Sequence, residues 1–163
     1  TYGMTETITH IAAKKIGDEV FTVLPNVKVA IDDRDCLVIK AKKISNKEIV
    51  TNDIVELISD TQFIWEGRYD NVINSGGVKL MPEQIEEKLS TLIPRRYFVY
   101  GQADDNLGEK LVLYVEGEPI EIEDSVFSVL KKFEKPKEII FITKFKETAT
   151  GKIMRKDSLK SIA

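Results

Sequence analysis

The sequence predicts an α+β protein in two parts: a small, mostly-β part over residues 1–69 and a compact α+β unit over residues 70–163. Three observations predict it. Apolar residues alternate at period two through much of the first part, no helical period of useful length comes before Pro82, and after Asp70 apolar residues recur at helical spacing between apolar runs. The 163 residues, 42% hydrophobic and 31% charged, suffice for one medium domain or two small ones.

In the first part, Val27, Val29 and Ile31, then Leu37, Ile39 and Ala41, then Ile54 to Ile58 and Phe63 to Trp65 read as strands. Turns fall at Asp32-Asp33, Ser45-Asn46 and Ser59-Asp60. Short strands at such intervals form a small barrel or a curled sheet. In the second part, Pro82 suits the first turn of a helix, Glu83, Glu86 and Glu87 suit its positive end, and Ile85, Leu89, Leu92 and Ile93 share a face. A second helix is expected with Asp124 or Ser125 as cap and Val126, Val129, Leu130 and Phe133 at helical spacing. Strands are expected at Tyr97 to Tyr100, Leu111 to Val115 and Ile139 to Ile142. The boundary falls near Asp70 without a Gly/Ser linker, so the junction reads as a hinge rather than a tether.

Composition narrows the function. Cys36 and His10 are the only residues of their kinds, which excludes a disulfide framework and a Cys/His zinc cluster and leaves oxygen as the ligand for any metal. With 24 basic and 27 acidic side chains the net charge is -3, so nucleic acid is not expected as a partner. The apolar run Leu111 to Val115 is far shorter than the roughly 20 residues of a membrane span. No secretory segment opens the chain, and a soluble, cytoplasmic protein is expected. The start at Thr1 rather than Met reads as a piece of a longer protein, and oligomeric state is left open.

Four polar segments interrupt the pattern without serving packing. Tyr2-Gly3-Met4-Thr5-Glu6-Thr7 is either an exposed end or a place where Tyr2 stacks on a base, Thr5 donates to a phosphate oxygen and Glu6 gives an oxygen to Mg²⁺. Thr51-Asn52-Asp53, expected just before a strand, is either a turn or a carboxylate set to accept from two ribose hydroxyls. Gly67-Arg68-Tyr69-Asp70 leads into Asn74-Ser75-Gly76-Gly77-Val78-Lys79. The glycine pair there marks either a hairpin tip or a close approach of ligand to main chain. Arg68 is by default a surface ion pair, although its planar fork suits phosphate and sugar oxygens. Thr148-Ala149-Thr150-Gly151-Lys152-Ile153 superficially matches the end of a phosphate loop, but no glycine stands five residues before Gly151 and Ile153 replaces Ser or Thr. That assignment is rejected. Lys152 is then either solvated or a mobile point charge for an anionic transition state.

Taken together, the order and spacing of these segments from Tyr2 to Lys156 resemble the C-terminal third of the adenylate-forming superfamily: acyl-CoA synthetases, peptide-synthetase adenylation domains and luciferases. TYGMTE resembles its Tyr-Gly-x-Thr-Glu stretch, TND its Thr-Gly-Asp, GRYDNVINSGGVKLMPEQIE its Gly-Arg-x-Asp hinge and following loop, and TATGKIMR its terminal lysine loop. The resemblance implies that residues 1–69 are the distorted barrel end of a large AMP-binding domain and residues 70–163 its C-terminal lid domain. It implies two steps, in which a small carboxylic acid and ATP give an acyl-adenylate and a thiol, CoA, then displaces AMP. By the same resemblance Lys152 serves the first step, Thr5 and Glu6 lie by the phosphates with Mg²⁺ on Glu6, Tyr2 lies against adenine, and Gly3 belongs to the same cofactor-binding stretch. Asp53 and Arg68 would hold the ribose, Asp70 is the hinge, and Ser75, Gly76, Gly77 and Lys79 approach the pantetheine arm of CoA.

Ser-Gly-Gly followed by Pro-Glu-Gln-Ile-Glu looks more like CoA ligases than peptide-synthetase domains, and within them like the bacterial o-succinylbenzoate-CoA ligases of menaquinone synthesis. Two departures stand out. Asn52 replaces a glycine, and Lys146 stands where many relatives have proline. The phosphate loop and acyl pocket would precede Thr1, so this stretch alone is expected to be inactive. The alternatives are another acyl- or aryl-CoA synthetase, or a non-catalytic nucleotide-binding or lid module.

Overall fold

The computed structural model describes residues 1–160 and divides the chain into two compact units, Thr1–Asp70 and Asn71–Ala163. The first is a seven-stranded antiparallel sheet made of β1 (Tyr2–Gly3), β2 (His10–Ala13), β3 (Val20–Val23), β4 (Lys28–Ile31), β5 (Cys36–Lys40), β6 (Ile49–Ser59) and β7 (Gln62–Arg68). Its spatial order is β1-β2-β3-β7-β6-β5-β4. Alternation places Phe21, Val29, Leu37, Ile39, Val55 and Phe63 in one core. The sheet curls over that core: the Val29 amide on the edge strand β4 donates to the Asp60 carbonyl in the turn after β6, and Lys28 pairs with Asp60 at 2.5 Å.

The opening segment, mostly exposed, is held in the sheet, because Tyr2 pairs with Ala12 and Gly3 with His10. A Cβ on Gly3 would stand 2.7 Å from the Thr9 carbonyl oxygen, so the glycine is what lets this pair form. One expectation is corrected in this unit: Thr51-Asn52-Asp53 lies inside β6, not before it. The outward Asn52 between buried Thr51 and Asp53 follows strand alternation, which a polar triplet hides from a hydrophobicity count.

The second unit holds β8 (Ile73–Ser75), β9 (Val78–Leu80), helix α1 (Pro82–Leu89), β10 (Tyr97–Asp104), β11 (Gly108–Glu116), β12 (Glu138–Ile142) and helix α2 (Arg155–Leu159). β11 is central, antiparallel to β10 and parallel to β12, and Gly108 at its start pairs with Ser75 of β8. Both faces of this strand are covered, which explains the unbroken apolar run from Leu111 to Val115. Leu111, Leu113 and Val115 face Ile85 and Leu89 of α1 with Phe127 and Leu130, while Val112 and Tyr114 pack with Phe98 and Phe145. Burying Ile85 and Leu89 stabilises by about 1.5–3 kcal/mol each, and together they fix α1 on the sheet.

Three strands were expected here and five are present among the described residues; β8 and β9 are only three residues each and carry too few apolar positions to show a period. The second α-helix is also corrected. Residues Asp124–Val129 form a 3₁₀ helix whose N-cap is Glu123, without a side-chain capping bond. Phe127 and Leu130 are buried three apart, the repeat of a 3₁₀ turn, whereas Val129 and Phe133 of the expected face are 50% and 61% exposed. Glu134 ends the segment by accepting from the Lys131 amide at 2.9 Å and from Lys88 at 2.8 Å. Leu92 of the first helix face lies beyond α1 and is 39% exposed, while Ile93 is buried. α2, five residues long, was not foreseen. No helix among the described residues is long and apolar enough to cross a membrane.

Candidate functional site

In the first unit, β1, β6 and β7 bring three of the expected residues together. Asp53, 7% exposed, accepts from the Tyr2 hydroxyl at 2.5 Å through Oδ2 and from the Trp65 indole N–H at 3.2 Å through Oδ1. The Arg68 Nε is 3.9 Å from the same Oδ1. Pairing of Asp53 with Arg68 across β6 and β7 sets this geometry. An ionised carboxylate offers about four lone-pair sites, so Asp53 keeps capacity for further donors such as vicinal hydroxyls. Burial, reinforced by the bond to Asp53, pushes the Tyr2 phenol well above its ordinary pKa, so it remains a donor. Its ring meets Phe21 and Phe63 edge-on, at 5.9 and 5.3 Å between centroids, so part of its surface is already packed.

Arg68 also reaches Asp70, donating to it at 3.2 to 3.3 Å, and so stands between the buried Asp53 and the last residue of the unit. Trp65 and Arg34 were missed as site neighbours. Arg34 bridges Asp32 at 2.7 Å, donates to Asn52 Oδ1 at 3.0 Å and to the Thr51 carbonyl at 3.2 Å, and lies 5.1 Å from the Tyr69 ring centre. It therefore braces the Asn52 departure. No sequence signal links Arg34 to Asn52, since they meet only where the turn between β4 and β5 lies beside β6.

Thr5 and Glu6 are exposed on a single 3₁₀ turn, Thr5–Thr7. Buried Thr7 holds that turn: its hydroxyl receives the Met4 amide at 3.0 Å and lies 2.9 and 2.8 Å from the Met4 and Thr9 carbonyls. Among the described residues no group of three or more His, Cys, Asp and Glu could hold a metal by itself. A lone exposed Glu6 fits Mg²⁺ shared with phosphate, because that ion commonly takes one or two carboxylates and completes its shell with phosphate oxygens and water.

In the second unit, Ser75, Gly76, Gly77 and Val78 form the hairpin turn between β8 and β9, with Ser75 paired to Val78. Both glycines have positive φ, 57° and 82°, as a two-residue turn requires. Lys79 follows on β9, exposed. Lys152 lies on a second turn, closed by the β-bridge between Glu147 and Ile153, and among the described residues its ammonium makes no hydrogen bond or ion pair.

No protein-family profile matches the chain. A 2-succinylbenzoate–CoA ligase of Listeria monocytogenes is 31% identical over 95% of this chain and 39% of its own length. The crystal structure of an acyl-CoA synthetase (AMP-forming)/AMP-acid ligase II-like protein from Dyadobacter fermentans is 34% identical, with a TM-score of 0.57 over 99% of this chain and 50% of that one. The o-succinylbenzoate CoA synthetase of Bacillus subtilis, solved with its acyl-adenylate intermediate, shares the fold at a TM-score of 0.80 and 19% identity, over 95% of this chain and 39% of that one. The chain thus spans about two fifths of the length of the curated relatives it matches, 39% and 40% in two 2-succinylbenzoate–CoA ligases. With four motifs in family order, a fold shared with adenylate-forming enzymes and this identity along nearly all of its length, the chain belongs to the adenylate-forming superfamily and corresponds to the C-terminal part of its acyl-CoA synthetases.

Proposed function

We propose that the chain works as the C-terminal part of an ATP-dependent acid–CoA ligase that adenylates a small carboxylic acid and passes the acyl group to CoA, with o-succinylbenzoate as the acid. The observation that carries this reading is the 31% identity over 95% of the chain with a 2-succinylbenzoate–CoA ligase. The site geometry agrees with it. Residues 1–69 are the barrel end of the AMP-binding domain, and residues 70–163 its lid. On this reading the enzyme works in the cytoplasm.

In the first half-reaction the acid's carboxylate attacks the α-phosphate of ATP and pyrophosphate leaves. Two anions approach and charge grows on the phosphoryl oxygens, so a cation free to move to them lowers the barrier. Lys152 is that cation, carried on an exposed hairpin tip. Asp53 accepts from the ribose hydroxyls with Arg68 beside it, and Tyr2 borders the adenine, with Gly3 next to it in the chain. Thr5 donates to phosphate, and Glu6 would supply one oxygen to Mg²⁺, which when bound neutralises phosphate charge. In the second half-reaction the CoA thiol attacks the acyl carbon and the bond to AMP breaks. The Ser75–Lys79 turn, slender at Gly76 and Gly77, then borders the pantetheine arm. Asp70 is the hinge between the two arrangements, a reading supported by the division of the chain after it.

The test is pyrophosphate release by the full-length enzyme that carries this chain, with ATP, Mg²⁺ and a panel of acids, with and without CoA. Release with o-succinylbenzoate, followed by its CoA thioester, is expected. Release with a different acid would retain the reaction and overturn the substrate, and no release across the panel would favour a non-catalytic nucleotide-binding module.

A further inference from the structure

Lys152 stands on a loop with a free tip and a fixed base. At the tip the Gly151 amide donates to the Thr148 carbonyl at 2.9 Å, the Lys152 amide to Thr148 Oγ1 at 3.1 Å, and the Thr148 amide to the Lys152 carbonyl at 2.9 Å. Below it the Met154 amide donates to the Lys146 carbonyl at 2.8 Å, so the loop is a short hairpin. Where the Lys152 amine can reach therefore depends on how the two legs are held.

The incoming leg is tied at Glu147, which pairs with Arg96, and at Lys146, whose amide donates to Ser158 Oγ at 2.8 Å. The outgoing leg enters α2 at Arg155. There the guanidinium Nη2 donates to Glu86 Oε2 at 2.8 Å, and Nη1 lies 3.5 Å from Glu83 Oε1. Glu83 and Glu86 are three apart on α1 and so share a face. Each carboxylate is itself held: Asn71 donates to Glu83 at 2.5 Å, and the Val99 amide to Glu86 at 2.8 Å. The bridge joins residues 69 apart in sequence, and Arg155 is only 17% exposed within it.

Such a bridge is a costly way to pin a five-residue helix, because apolar residues of similar volume commonly stabilise a buried site as well or better. What a planar fork between two fixed carboxylates adds is geometric definition. We propose that Arg155 is a positioning residue for the chemistry at Lys152: by bridging Glu83 and Glu86 it fastens the outgoing leg of the hairpin and sets where the lysine amine can reach. The assignment of Lys152 to adenylation rests on the function proposed above; the effect of the bridge on the hairpin does not.

Two measurements test it on Arg155→Met and Arg155→Lys. The first is hydrogen exchange of the 147–154 amides in the chain, and the second is the rate of each half-reaction in the full-length enzyme. Arg155→Met should speed exchange in the hairpin about tenfold or more, since the segment then opens locally. It should lower the kcat of adenylation by about 10- to 100-fold, as displacement of a reacting group does, with the KM for ATP nearly unchanged. Thioester formation from supplied acyl-adenylate should stay within about twofold. Arg155→Lys, which keeps the charge but can engage only one carboxylate well, should recover part of both losses.

Unchanged hairpin exchange and adenylation in Arg155→Met would overturn the proposal, as would an equal loss of both half-reactions, the mark of general destabilisation. Should Arg155→Met fail to fold, Glu86→Gln is measured the same way, and faster hairpin exchange with selective loss of adenylation is again the supporting result; no change overturns it. If Lys152→Ala leaves adenylation intact, the proposed function of that lysine fails, while the exchange data still decide whether Arg155 holds the hairpin.

Discussion

At the scale of single residues, the buried Asp53 carboxylate ties together side chains from three strands of the first unit. It is buried, and its bonds to Tyr2 and Trp65 offset the desolvation that burial imposes. Tyr2→Phe keeps the ring contacts with Phe21 and Phe63 and deletes one donor, leaving Oδ2 of Asp53 short of a partner. Loss of one partner of a buried charge should cost about 1–3 kcal/mol, read as a lower urea midpoint at unchanged slope. An unaltered midpoint would mean that water replaces the phenol without penalty. The residue types here were legible from the sequence, but Tyr2 and Asp53 lie 51 positions apart on strands that do not pair, and only the folded sheet shows that the phenol spends its hydroxyl on the carboxylate.

At the scale of elements, α1 carries a carboxyl group whose environment works against its charge. Burial pushes the Glu86 pKa up to about 7, against the opposing pull of Arg155 and the Val99 amide. The folded carboxyl therefore binds its proton more tightly than the unfolded one, with an ordinary value of 4.5. Between those values folding takes up a proton, so this group's contribution is fully present at low pH and is lost as pH rises toward 7. The slope is at most about 1.4 kcal/mol per pH unit, and above the window Glu86 is the anion that Arg155 pairs. Urea unfolding of the chain and of Glu86→Gln at a series of pH values isolates the effect. The stability of the wild-type chain relative to the variant should fall from pH 5 to pH 7 and then level off, and parallel curves would refute the assignment. Neighbouring elements show how far local pattern reaches: Ile85 and Leu89 revealed α1, but the 3₁₀ geometry of Asp124–Val129 was hidden because a short segment's propensity is weaker than the packing that selects Phe127 and Leu130.

At the scale of the whole molecule, the proposed function assigns Lys152 to the first half-reaction and the Ser75–Lys79 turn to the second. In the full-length enzyme Lys152→Ala should cut adenylation by at least about 100-fold, the size expected for a charge aimed at the transition state. Conversion of supplied acyl-adenylate to thioester should change little, and equal loss of both steps would contradict the two-arrangement reading. Asp70→Pro fixes a backbone torsion at the proposed hinge and should slow the exchange between steps about tenfold. Normal turnover by that variant would remove Asp70 from the hinge.

By itself the sequence determined the two-part α+β organisation, the strands with clear alternation, the first helix and the superfamily. Each depends on the order of residues along the chain: burial on one face imposes a period of two or 3.6, and motif order is a property of the chain alone. Tertiary structure decided the rest. It made a two-residue turn of Gly76 and Gly77, put Asp53 within a strand, braced Asn52 with Arg34, and joined Arg155 to Glu83 and Glu86. Those contacts join residues from separate elements, and the free energy that selects them, burial offset by hydrogen bonds and charge pairing, exists only once the elements have packed.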